Sequence, residues 1–181
     1  MKLRLLACSA LAVTAVLAAA SAFAGCTSGD PGDGTARPAA FTAEAPSEGA
    51  SVFLRQRPNA LVLDRFTVDV VARGAADVHG AAFRVTWDPE TLAFVEAQAG
   101  SSWSKSVLSL AKEGSPGQLA VAWAEKGETG IDASGETVIG SLTFQSRSAK
   151  GTALTFKPER SQLVDKKGAR VAVTWRGGTV R

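Results

Sequence analysis

From residue 51 onward the chain repeats one pattern: short runs in which apolar and polar side chains alternate, each ended by a cluster of turn formers. A period of two is the mark of a strand with one face buried, because successive side chains point to opposite sides. The runs are "SVFLR" at 51–55, "FTVDVVA" at 66–72, "AAFRVTW" at 81–87, "LAFVEA" at 92–97 and "QLAVAWA" at 118–124. "TVIGSLTF" at 137–144, "ALTFK" at 153–157, "SQLVD" at 161–165, "RVAVTW" at 170–175 and a final "GTVR" follow. Between them stand Arg73-Gly74, Asp88-Pro89, Gly114-Ser115-Pro116-Gly117, Gly127, Gly130, Gly135, Lys150-Gly151 and Lys167-Gly168. Short runs at this spacing predict an all-β, antiparallel sandwich or barrel. The one helical turn expected is Pro89–Leu92, since Asp88-Pro89-Glu90 is a helix start. Ser102–Lys112 fits neither period, although it carries Val107, Leu108 and Leu110.

Parity then sorts the side chains. Phe83, Val85 and Trp87 point to a core, and the Asp88-Pro89 turn brings Leu92 and Phe94 back to it. Leu119, Val121 and Trp123 do the same on a later strand, so Ala120, Ala122 and Ala124 face outward, as do Ala82, Arg84 and Thr86. Alanine is depleted in strands, so an outward cluster of it makes a flat, low-relief sheet face. That face is a candidate protein-docking surface, with Arg84 and Glu125 supplying charge at its rim; plain solvated surface is the alternative. Trp87, Trp123 and Trp175 are expected in the core. Trp103, in the polar stretch "GSSWSKS", is the tryptophan expected to be exposed.

The N-terminal 50 residues follow a different logic. Residues 1–25 read as a secretory leader: Lys2 and Arg4, an apolar run from Leu5 to Ala20, then small residues. Two processing sites compete there. Ala22-Phe23-Ala24 allows cleavage after Ala24, and Phe23-Ala24-Gly25-Cys26 resembles the lipobox of bacterial lipoproteins, in which Cys26 takes the lipid. After removal of the leader Cys26 is the only cysteine, so it has no disulfide partner within the chain. Residues 26–50 read as a flexible Gly/Pro/Ala-rich linker, too poor in apolar surface to order itself. As a coil, its 24 residues after Cys26 span about 25–30 Å. The expected location is therefore outside the cytoplasm, lipid-anchored at Cys26 in a bacterial cell envelope or else secreted.

Charge and chemistry exclude several classes of function. The net charge is +3, but without Lys2 and Arg4 the balance is 18 basic against 17 acidic residues. No Lys/Arg block points to nucleic acid. The single histidine, His79, is expected in an exposed loop, and no G-x-S-x-G nucleophile turn occurs. Zinc needs three or four His, Cys or acidic ligands, and glycoside hydrolysis needs two carboxylates across a cleft; no motif places either set. The chain is read as non-catalytic.

The strand domain, 51–181, resembles a cohesin. "VHGAAFRVTWDPETLAFVEAQAG" is similar to the family's glycine–phenylalanine–aromatic–Asp-Pro–leucine segment, with Gly80, Phe83, Trp87, Asp88, Pro89 and Leu92 in place. "GQLAVAWAEKGETG" resembles the strand that ends in Ala124-Glu125 before a Gly-containing loop. "SGETVIGSLTFQ" and "SQLVDKKGARVAVTWRGGTV" resemble two later segments of the family, in the same order. The resemblance implies a jelly-roll sandwich of about nine strands, related to cellulose-binding modules, that binds a protein partner on one sheet face. In familiar members that partner is a dockerin, a small calcium-binding helical pair. Two face positions that often carry polar residues in the family fall on Gly80 and Ala82, and Glu125 matches. The partner-binding set implied is Gly80, Ala82, Arg84, Thr86, Ala120, Ala122, Ala124 and Glu125, with a protein, dockerin-like or other, as partner. A polysaccharide on the same fold is the alternative, although the chain has no tyrosine for an aromatic strip. No cofactor is called for by any motif. Structural calcium in "EKGETGIDASGE", at Glu125, Glu128, Asp132 and Glu136, stands beside the reading of a solvated acidic loop.

Overall fold

Alternation of this kind buries one side of each strand, and two such sheets must cover each other. The computed structural model, which describes residues 40–58 and 64–181, consists of strands and one 3-10 turn at Pro158–Arg160. The strands are β1 (Phe41–Ala43), β2 (Ser51–Gln56), β3 (Arg65–Arg73), β4 (Ala75–Thr86), β5 (Leu92–Ala99), β6 (Leu108–Ser115) and β7 (Gln118–Ala124). Then come β8 (Ile131–Ala133), β9 (Thr137–Ser146), β10 (Thr152–Phe156), β11 (Gln162–Asp165), β12 (Arg170–Val171), β13 (Thr174–Arg176) and β14 (Gly178–Val180). One sheet runs β13-β2-β3-β9-β5. The other is organised on the long strand β4, with β7 and then β6 on one edge and β11 and then β12 on the other; β10, β14 and β1 continue from its end. All pairings are antiparallel except β13 with β2.

Most of the core between the sheets is the set that parity selects, with Phe94 only partly buried against it. Phe83 meets Trp123 and Phe156 edge-on at centroid distances of 5.3 and 5.5 Å, and Trp87 meets Phe144 edge-on at 5.2 Å. Phe66 stacks on Phe144 at 5.8 Å. The Asp88-Pro89 hinge works as expected: Asp88 Oδ1 accepts from Glu90 N at 2.9 Å, and the Asp88 carbonyl accepts from Thr91 N and Leu92 N. Trp87 Nε1 donates to the Leu92 carbonyl at 2.9 Å, locking the incoming strand to the outgoing one. A single turn results rather than a helix.

Several expectations change. The linker does not reach residue 50: Phe41–Ala43 form β1, paired with β14, and Phe41 is buried. A composition average hides this, because one phenylalanine suffices when Gly178 leaves the room; a Cβ there would stand 2.6 Å from Phe41 Cε2. The leader 1–25, Cys26 and the linker to residue 39 lie outside the described residues. Ser102–Lys112 divides into a turn, in which Trp103 is buried and donates from Nε1 to the Ile139 carbonyl at 2.6 Å, and the start of β6. Trp103 is therefore a core residue, because its indole finds a carbonyl inside the protein. His79 is not in a loop but buried on β4, bonded to Asp77 Oδ1 at 3.0 Å, after a bulge where Asp77 takes a φ of 52°. "RVAVTW" is two strands: β12 joins β11 in one sheet, and β13 joins β2 in the other. Trp175, on β13, is only half-buried, packed on Phe156 at 5.0 Å.

Candidate functional site

Pairing register places the outward side chains of β6, β7, β4, β11 and β12 in rows across one sheet face. The first row is Leu108, Ala124, Gly80, Val164 and Arg170. The second is Leu110, Ala122, Ala82 and Gln162. The third is Lys112, Ala120 and Arg84, and the fourth brings Gln118, Thr86 and Thr155 together. The alanines of the sequence reading are thus neighbours, with Ala82 directly opposite Ala122. Ala120, Ala122, Ala124, Ala82, Arg84 and Thr86 are each half-buried, as expected for small or upright side chains on an open sheet.

Gly80 differs. It shares the face but is buried, because Val164 leans over it; a Cβ at Gly80 would stand 2.7 Å from Val164 Cγ2. Val164 therefore presents the surface at that point.

The face is not merely flat. Leu108 and Leu110 are 53% and 64% exposed, and they flank the alanine rows on the edge strand β6. Sequence reasoning missed both, together with Lys112, Gln162, Val164 and Arg170. The i, i+2 spacing of Leu108, Leu110 and Lys112 was a strand signal, but nothing local says which strand they border.

Glu125, at the end of β7, has a task within its own chain. Ser104 Oγ donates to Oε1 at 2.6 Å and Ser104 N to Oε2 at 2.8 Å; Gly127 N and Lys126 N also donate to Oε1. These bonds, those from Ser104 foremost, hold its pKa down to about 2. The other carboxylates of the acidic loop do not converge with it. Glu128 pairs with Lys166, whose hydrogen bond lowers its pKa, Asp132 accepts from Ser134 N, and Glu136 pairs with Arg55 at 2.9 Å. Among the described residues no group of three or more His, Cys, Asp or Glu is arranged to hold a metal ion.

Trp87, Trp103 and Trp123 are buried, and the exposed large apolar residues among those described are Val95, Leu108 and Leu110. The described surface thus carries no row of flat aromatic rings of the kind a planar polysaccharide stacks on.

The family model of the cohesin domain matches residues 58–179. Among solved structures, the sixth cohesin of scaffoldin B from Acetivibrio cellulolyticus, in complex with a Cel5 dockerin mutant, is similar at 20% identity and a TM-score of 0.59. That match covers 72% of this chain and 96% of that one. A type II cohesin module of the adaptor scaffoldin from the same organism gives 14% identity and a TM-score of 0.61, covering 74% and 90% of the two chains. A non-cellulosomal cohesin from the archaeon Archaeoglobus fulgidus gives 19% and 0.56, covering 72% and 88%. Comparison with curated proteins finds no match. Cohesin domains that bind dockerins are non-catalytic protein-binding modules. A family match over two thirds of the sequence, on a jelly-roll sandwich with the Asp88-Pro89 hinge in place, means that this chain belongs to the cohesin family.

Proposed function

We propose that this chain is an exported, envelope-tethered binding protein whose cohesin domain docks another protein on the outer face of β6, β7, β4 and β11. The single observation that carries the docking reading is the pair of exposed leucines, Leu108 and Leu110, set beside rows of alanines in one sheet face. Burying the exposed parts of two such side chains contributes about 1–2 kcal/mol each. The small residues between them let a partner approach the backbone closely. A similar cohesin is described in complex with a dockerin, and a dockerin-like helical pair is one class of partner that fits a flat face. The tether rests on Phe23-Ala24-Gly25-Cys26 and the Gly/Pro-rich stretch after it.

The test is capture from an envelope fraction by the full chain and by its Ala122→Arg variant, with captured proteins identified by mass spectrometry. Ala122→Arg should abolish capture and leave the melting temperature nearly unchanged; capture that survives it rules out this face. A glycan array run in parallel should stay silent, and a positive array moves the reading to carbohydrate binding. Labelled lipid should enter the wild-type chain and not Cys26→Ala; equal labelling of both removes the anchor.

A further inference from the structure

The third row of the docking face differs in kind from the two beside it. Lys112 on β6 and Arg84 on β4 flank Ala120 on β7, so two cations stand on either side of a methyl group. With strands about 4.8 Å apart, their backbone positions are separated by roughly 10 Å, a span that two long side chains close from both ends. Among the described residues neither cation makes an ion pair or a side-chain hydrogen bond, whereas Arg55, Arg57, Arg73 and Lys166 each pair with a carboxylate. The four rows contain no acidic residue. Between the two cations lies a cleft of about 230 Å³, lined by Arg84, Lys112, Gly114, Gln118 and Ala120. That is smaller than the roughly 300–1,000 Å³ of a typical small-molecule pocket, and its size suits a side chain.

Resting on the docking reading above, we propose that the partner is a protein surface with an apolar patch and an Asp or Glu beside it. The patch covers Leu108, Leu110 and the alanine rows, and the carboxylate enters the cleft between Arg84 and Lys112. The physical reason is desolvation. Once the leucine and alanine rows are covered, water is excluded from one side of the third row, and two unpaired cations there become costly unless an anion joins them. A carboxylate accepts from both, with the guanidinium able to bind it in a fork. Gln118, which also lines the cleft, supplies a further donor. The arrangement therefore selects among partners: a helix or loop with the right apolar stripe but a basic residue at that position is rejected by two like charges.

The experiment pans the full chain against a display library of protein fragments from the genome that encodes it, and identifies captured fragments by sequencing. Fragments lost with Ala122→Arg are the face-dependent set. Their dissociation constants should rise about tenfold or more with Arg84→Gln and with Lys112→Gln, and should rise between 50 and 500 mM salt. Arg84→Glu paired with Asp/Glu→Arg in the fragment should restore binding that either change alone removes. Face-dependent fragments indifferent to Arg84→Gln, Lys112→Gln and salt overturn the carboxylate proposal while docking stands. Capture that is absent, or that survives Ala122→Arg, overturns the docking reading and the proposal with it.

Discussion

Adding one methyl group at Gly140 should disrupt the centre of the sandwich. A Cβ there would stand 2.6 Å from Trp123 Cζ2 and nearer still to Cζ3 and Cη2, where real Cβ atoms stay beyond 3.0 Å. Neither partner can retreat. Gly140 is in a central strand, bonded to β3 at Val70 and to β5 at Ala99, so moving its backbone breaks two ladders. Trp123 is 1% exposed and held edge-on by Phe83. Overpacking of this kind costs about 1–3 kcal/mol, and two fixed neighbours put Gly140→Ala at the upper end, a fall in Tm on the order of 5–10 °C. The indole also carries a penalty of its own, since Trp123 Nε1 is buried without an acceptor among the described residues. Trp123→Phe removes both that orphan donor and the clashing ring carbons, and leaves a void in exchange. The double variant should therefore be more stable than the sum of the single changes predicts, with a coupling of about 1–3 kcal/mol. Urea melts of the four chains measure this directly. Additivity within about 0.5 kcal/mol, or a Gly140→Ala chain that melts with the wild type, would refute the packing argument.

Three further outcomes are expected. Phe41→Ala should cost about 2–4 kcal/mol in a urea melt, near the range for a buried phenylalanine, and should raise amide exchange at β14, which loses the side chain that holds β1 against it. An NMR titration should find the Glu125 carboxyl titrating near pH 2 and Ser104→Ala raising it toward 4.5. The sign follows from the lowered pKa: the carboxylate's contribution is complete above about pH 4.5 and is lost as the pH falls toward 2. Excess calcium should leave Tm unchanged, because Glu125, Glu128, Asp132 and Glu136 each answer to a different donor; a rise in Tm would show a site that these contacts hide.

The longer core strands, and which side of each faces the core, were legible along the chain because parity is a local property; β1, β6, β8 and the division of β12 from β13 were not. Phe83, Val85, Leu119, Val121 and Trp123 are buried where alternation puts them. Trp103 and His79 were misread because a polar neighbourhood in sequence says nothing about a carbonyl supplied by Ile139 or a carboxylate turned back from Asp77. β1 was hidden for the same reason: its pairing partner is the last strand of the chain.

The proposed docking face divides along this line. That Ala82, Ala120, Ala122 and Ala124 point outward follows from their place between buried neighbours, and needs no knowledge of the rest of the fold. That Leu108 and Leu110 border them, that Val164 covers Gly80, and that Lys112 and Arg84 flank Ala120 depend on registers between strands far apart in the chain. Hydrogen bonds between strands carry no side-chain code, so such registers are decided only when both sheets close on a common core.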